Sequence, residues 1–110
     1  MASRASILTG KYEYQHGCNF SKGKLSQEDI KNSYPNILKR AGYVTAFAGK
    51  YGVDLKSESP QNLFDKWGGG PGQTSYITAK NKSMKKYADK FPHSTMSYGA
   101  FGSEFIKLAR

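Results

Sequence analysis

Two short blocks hold the residues whose types and spacing could do chemistry. One is Ser3-Arg4-Ala5-Ser6-Ile7-Leu8-Thr9-Gly10, and the other is Gly42-Tyr43-Val44-Thr45-Ala46-Phe47-Ala48-Gly49-Lys50. Each brings one cation, Arg4 or Lys50, and a fixed cation is useful where a reaction develops negative charge. Other reactive residue types are sparse. Cys18 is the only cysteine, which excludes an internal disulfide and a cysteine-based metal site. His16 and His93 are the only histidines, and a lone histidine is more often a hydrogen-bonded structural residue than a base or ligand. The 8 acidic residues are scattered, with only Glu28 and Asp29 adjacent, whereas a hard cation needs several oxygens converging on one point.

The elements that must position these residues can be read from periodicity. Residues 3–9 suit a short helix ended by Gly10. Residues 11–32 are polar and punctuated by glycine, which reads as a loop. Residues 33–41 form the clearest helix: Tyr34, Ile37, Leu38 and Ala41 make one apolar stripe. Ser33 can cap its start, Pro35 is tolerated in the first turn, Lys39 and Arg40 suit the last turn, and Gly42 can close it. Residues 43–48 then read as a short, largely buried strand. Helix, glycine turn and strand together are half of an αβ repeat feeding a parallel sheet. Residues 52–75 look irregular. The run Gly68-Gly69-Gly70-Pro71-Gly72 is expected to be non-regular and to allow close approach of a ligand or another segment. It is not a phosphate loop, because no Gly-Lys-Ser/Thr follows. Residues 76–93 are basic and weakly patterned. Residues 98–108 return to helix, with Tyr98, Phe101, Phe105 and Leu108 on one face.

At 110 residues the chain is at most one domain. Its hydrophobic content of 37%, with 12 Gly and 8 Tyr, points to loops and amphipathic packing rather than a dense aliphatic core. Net charge is +9, from 17 Lys and Arg against 8 Asp and Glu. Either this is a solvated basic surface or the chain meets an anionic partner. The densest run is Lys80, Lys82, Lys85, Lys86 and Lys90. No nucleic-acid motif accompanies it, and lysines without arginine forks are weaker phosphate readers, which argues against nucleic acid. Nothing in the chain reads as a membrane span or a signal peptide.

The first block resembles the first signature of the sulfatases, Cys-x-Pro/Ala-Ser-Arg, two variable residues, two apolar ones, then Thr-Gly. Arg4, Ile7, Leu8, Thr9 and Gly10 are in register, Ser3 and Ala2 match, and Met1 takes the variable position. The nucleophile position then falls before Met1. The second block resembles the second signature, Gly-Tyr-x-Thr-x-x-x-Gly-Lys, at an interval normal for the family. The aromatic-His that usually follows is Tyr51-Gly52 here, so the aromatic is kept and the His is absent. The resemblance is specific over residues 2–52. It is softer from Phe64-Asp65-Lys66-Trp67-Gly68 to Tyr98-Gly99-Ala100-Phe101-Gly102.

The resemblance implies an α/β fold: a fragment of the parallel-sheet sandwich of the alkaline-phosphatase-like superfamily. Residues 1–110 would be part of the N-terminal catalytic domain, with no second domain. It implies hydrolysis of a sulfate ester, on a sulfated small molecule or glycan, by a formylglycine made from the Cys upstream. Arg4 would hold the formylglycine and the metal-site geometry. Lys50 would contact the sulfate from the C-terminal end of a strand, where ligand sites sit in open α/β sheets. The plain alternatives are a surface Arg near a terminus and a solvated strand-end Lys. Ser3 and Thr9 would serve in capping and local hydrogen bonding. A calcium ion would serve the full-length enzyme. Its carboxylates would lie outside this chain, Asp54 and Asp65 not being at ligand positions, so no calcium is expected on this fragment. The fragment alone would be inactive, and an exported parent would carry its signal upstream. Two other readings stay open: a non-catalytic basic module gripping a polyanion such as a sulfated glycan, and a truncated product with no independent function.

Overall fold

The structure is a computed structural model that describes residues 2–19, 22–56, 58–70 and 72–109. Met1, at the variable signature position, and Pro71, in the glycine run, lie outside the described residues. The chain divides into two compact units: residues 1–45 with 52–65, and residues 46–51 with 66–110. The fold is mixed α/β with a two-stranded parallel sheet.

The first unit is helical. Helix α1 spans Ala2–Thr9 and buries Ala5 and Leu8. Gly10, at φ +69, stops it, with its N–H on the Ser6 carbonyl. The segment expected to be loop contains two short helices, α2 at Glu13–His16 and α3 at Gln27–Lys31. Both are too short to leave a periodic signal. Helix α3 is held by its cap: the Ser26 hydroxyl accepts from the Asp29 N–H at 3.1 Å and donates to the Asp29 carboxylate at 2.9 Å. Helix α4 spans Tyr34–Arg40. Ser33 holds the N-cap position, but its hydroxyl donates to the Ile30 carbonyl instead of capping.

Helix α4 ends as the glycine implied. The Gly42 N–H reaches the Lys39 carbonyl and the Tyr43 N–H reaches the Leu38 carbonyl, a Schellman closure with Gly42 at φ +96. This closure uses Tyr43, which explains why the strand starts later than expected. It runs Ala46–Lys50 (β1), not 43–48, and it is not largely buried: Val44 is 54% exposed and Ala48 is exposed. The stripe of α4 is likewise exposed at Tyr34, Ile37, Leu38 and Ala41. The interior of this unit is built instead from residues such as Leu25, Ile30, Val53 and Leu55, with Leu25 and Leu55 paired in a parallel bridge.

The second unit holds the sheet. Strand β2 spans Lys66–Gly70 and pairs with β1 in register from Ala46↔Lys66 to Lys50↔Gly70. The expectation that Gly68-Gly69-Gly70 lies outside regular structure is therefore wrong. Its companion, close approach of another segment, holds. A Cβ on Gly68 would collide with Met84 Cε and stand 3.1 Å from Phe101 Cε2, and one on Gly69 would stand 2.8 Å from Trp67 and 2.9 Å from Phe47. Here glycine is chosen for space, not for turn geometry. Short 3-10 turns at Thr78–Lys80 and Lys82–Tyr87 follow, then helix α5 at Ser94–Leu108. The helix begins four positions before the expected 98, because the imidazole of His93 caps it by accepting from the Thr95 N–H. On its expected apolar face Phe101 is buried and Tyr98 and Phe105 are half-buried, but Leu108 is 65% exposed.

Candidate functional site

Arg4 stands in the middle of α1 with its side chain exposed. Among the described residues it has no ion-pair or hydrogen-bond partner. The rest of the first block is local scaffolding. Thr9 Oγ1 donates to the Ala5 carbonyl at 2.7 Å and accepts from the Lys11 N–H at 3.2 Å, the local role expected of it. Lys11 then ties the end of the block to the first unit. Its ammonium lies 2.7 Å from Asp29 Oδ1. Burial alone would raise the Asp29 carboxyl, but hydrogen bonds from Lys11 and Ser26 outweigh it and hold the group below the usual carboxylate range.

His16 is buried and fastens α2 to α1. Its Nδ1 accepts from the Cys18 N–H at 3.0 Å, so the proton of the neutral ring sits on Nε2 and reaches the Ser6 hydroxyl, also at 3.0 Å. This is a structural histidine. Cys18 is fully buried beside it, and burial first, then the charges of Asp29 and Asp54, push its thiol up. Neither feature suits a nucleophile.

Lys50 ends β1 and is exposed. Two glycines fix the backbone around it. Gly49 has φ +100 and Gly52 has φ +61, both in the region that favours glycine. Tyr51, between them, is buried. Its N–H extends the ladder to the Gly70 carbonyl at 2.9 Å, and its ring packs edge-on to Phe47 at 5.2 Å. Phe47 stacks on Trp67 at 5.4 Å. The aromatic of the second signature is thus a packing residue that anchors the strand end carrying Lys50. The change from His to Gly at position 52 is more than a lost side chain, because the backbone there adopts a conformation few other residues accept.

Thr45, also in the second block, is held by Asp65. The Asp65 carboxylate accepts from the Thr45 N–H at 2.8 Å, and the Asp65 N–H returns to the Thr45 carbonyl at 2.9 Å. Lys39 adds an ion pair at 3.2 Å. The Thr45 N–H is the main reason the Asp65 carboxyl lies below the ordinary range, with Lys39 adding to it against partial burial. Sequence reasoning gave Asp65 no role. The spacing of 20 residues between it and Thr45 leaves no local signal.

Arg4 belongs to the first unit and Lys50 to the second, each placed within its own. Among the described residues no three His, Cys, Asp or Glu side chains converge as metal ligands would. Every buried side-chain nitrogen and oxygen among them has a hydrogen-bond partner. No helix among them is long and apolar enough to cross a membrane.

The family described as Sulfatase matches residues 1–104. The chain belongs to the sulfatase family. Curated relatives agree with that membership. The N-acetylglucosamine-6-O-sulfatase of Bacteroides thetaiotaomicron is 42% identical over 65 residues, 59% of this chain and 11% of that protein. The N-acetylglucosamine-6-sulfatase of Capra hircus is 38% identical over 93 residues, 77% of this chain and 16% of its own length. The Homo sapiens protein of the same name is 46% identical over 57 residues, 44% of this chain and 10% of its length. The sulfatase chain thus spans only a small part of the relatives it matches. No solved structure matches it.

Proposed function

We propose that this chain is part of the catalytic region of a sulfuric ester hydrolase that removes sulfate from a sulfated saccharide. The observation that carries the reading is the pair of signatures, in order and in register. Arg4 rises from α1 to hold the nucleophile's geometry. Lys50, fixed between Gly49 and Gly52, meets the oxygens of the transferring sulfate as they gain charge. The three relatives named for N-acetylglucosamine sulfate support a saccharide over a simple aryl sulfate.

The family resemblance implies a formylglycine as the nucleophile of the longer enzyme. Its hydrate oxygen would bond to sulfur as the S–O bond to the saccharide oxygen breaks and that oxygen leaves as the alcohol with the hydrate's proton, and loss of sulfate would re-form the aldehyde. The described residues do not make up the calcium site that the family resemblance implies, since no three ligand side chains converge. The chain's own part is therefore to bind and orient the sulfate group. The test is turnover of N-acetylglucosamine 6-sulfate by a longer protein that carries these residues and the upstream nucleophile, compared with its Lys50→Ala variant.

One observation favours a second reading, the polyanion-binding module. A cleft of about 530 Å³ in the first unit is lined by Lys31, Lys39 and Arg40, with Gln27, Asn36 and Glu58. Three cations against one carboxylate suit a sulfated glycan. Lys39 is already paired with Asp65, and the Arg40 guanidinium donates to the Lys31 carbonyl at 2.6 Å, which weakens this reading relative to the first. Retention on heparin that falls in a Lys31→Ala, Arg40→Ala double variant would support it.

A further inference from the structure

We propose that Tyr12 and Tyr14 form a stacking platform for an uncharged pyranose ring, a saccharide subsite carried on α2 beside the first signature. The proposal rests on the sulfatase reading only for its biological setting; the chemistry of the platform stands on its own residues. The two phenol rings lie 6.1 Å apart and within 12° of parallel, and they are 73% and 83% exposed. Residues two apart on a helix do not face each other. These do because Tyr12 is not helical: it is the residue before α2, with extended φ −72 and ψ 160, so its ring turns back alongside that of Tyr14. The result is a stacked aromatic pair whose outer ring faces are open to water.

The shelf borders a cleft of about 640 Å³ completed by Glu13, Gly17 and Asn19. Gly17, at φ +73, brings no side chain to it, and nothing lies within 4 Å of where one would stand. The support beneath is fixed. The Tyr12 N–H donates to Gln15 Oε1 at 3.1 Å, the Gly17 N–H reaches the Glu13 carbonyl at 2.8 Å, and His16 pins the helix to Ser6. A platform ordered before binding loses little freedom on binding.

The chemistry selects the ligand. A pyranose presents a flat face of C–H groups, weakly positive, which matches the negative face of an aromatic ring. Its hydroxyl edge needs acceptors, and the exposed Glu13 carboxylate accepts while the tyrosine hydroxyls both donate and accept. The same carboxylate repels a sulfate group. The neighbouring cation Lys11 is committed to Asp29. The shelf therefore takes an uncharged ring of a glycan, with the sulfate-bearing ring placed elsewhere.

The test titrates the full 110-residue chain with the uncharged trisaccharide of N-acetylglucosamine and follows the tyrosine ring resonances by NMR, with phenyl sulfate as a second ligand. The proposal expects the Tyr12 and Tyr14 rings to shift with the trisaccharide. It expects Tyr14→Ala to weaken binding at least about tenfold and Tyr14→Phe to hold it within about twofold. The wild-type ring shifts stand as a readout whether or not the alanine variant folds. Absent ring shifts, equal affinity in Tyr14→Ala, or a shelf that answers to phenyl sulfate and ignores the sugar would each overturn it. The trisaccharide carries no sulfate, so its binding is separable from the roles of Arg4 and Lys50. Trisaccharide binding by this chain, together with no sulfate ester hydrolysis by a longer protein that carries these residues and a nucleophile, would overturn the sulfatase reading and leave the platform standing.

Discussion

Arg4 rises from the middle of an eight-residue helix with ordinary backbone geometry, whereas Lys50 ends a strand flanked by glycines at φ +100 and φ +61. The first cation is delivered by side-chain identity on a common scaffold, and the second by a backbone path that few sequences can follow. Each block is also anchored to a distant carboxylate, but differently. Lys11, just after the first block, pairs with Asp29, which is 7% exposed. Thr45, inside the second block, is held through its backbone by Asp65, which is exposed. The contrast teaches that the helical signature asks nothing special of the backbone at its cation, while the strand signature should fail when its glycines change.

The largest effect is expected from the nucleophile, which the proposed function assigns to a longer protein. Residues 1–110 alone should show no turnover of N-acetylglucosamine 6-sulfate or an aryl sulfate, because loss of a covalent nucleophile removes the route itself. Turnover that survives purification and disappears in Arg4→Ala would break the account.

The next effect sharpens the contrast in backbone. Gly68→Ala in β2 should cost about 1–3 kcal/mol of stability, since buried Met84 and Phe101 occupy the space a methyl needs. Gly49→Ala should cost about 1–2 kcal/mol through its positive φ alone, there being open space around it. Urea melts of the two variants measure both. A Gly49→Ala protein as stable as the wild type would show that the strand end adjusts freely.

The carboxylate anchors predict a pH dependence. Asp29 and Asp65 both titrate lower in the folded chain than in the unfolded one. Their contribution is therefore complete above the unfolded carboxyl value of about 4, and is lost as pH falls through the lower folded values. Asp29→Asn should flatten the acid limb of a stability-versus-pH curve more than Asp65→Asn, because the buried carboxylate is less screened. An unchanged acid limb in both variants would show that neither anchor matters. The smallest effect is expected at Arg4→Ala, within about 0.5 kcal/mol of wild-type stability by thermal melting, because its side chain is exposed.

Much of this was legible in the sequence because it is local. Gly10 and Gly42 mark the ends of α1 and α4, and the signatures are runs of consecutive residues. What stayed hidden depends on distant partners. Strand β2 is three-fifths glycine, which disfavours a strand, and the close approach of Met84 and Phe101 to Gly68 comes from distant parts of the chain. The stripe of α4 predicted an apolar face but could not say that Leu25, Ile30 and Leu55 would form the interior instead. Helix α3 did carry a signal, Ser26 three residues before Asp29, outweighed by the polar composition around it. The parallel shelf of Tyr12 and Tyr14 depends on where α2 starts, which no periodicity in four residues can reveal.

The central claim is that Lys50 is held by its backbone to meet the transferring sulfate. The direct measurement is turnover of N-acetylglucosamine 6-sulfate by a longer, nucleophile-bearing protein with these residues, comparing Lys50→Ala with Lys56→Ala. Lys56 lies beyond the signature and is exposed. The account predicts a fall of about 10²–10³ in kcat for Lys50→Ala, the usual cost of removing one donor from developing charge, and little change for Lys56→Ala. Equal, small effects at the two positions would contradict it, leaving the second signature as scaffold with no part in the chemistry.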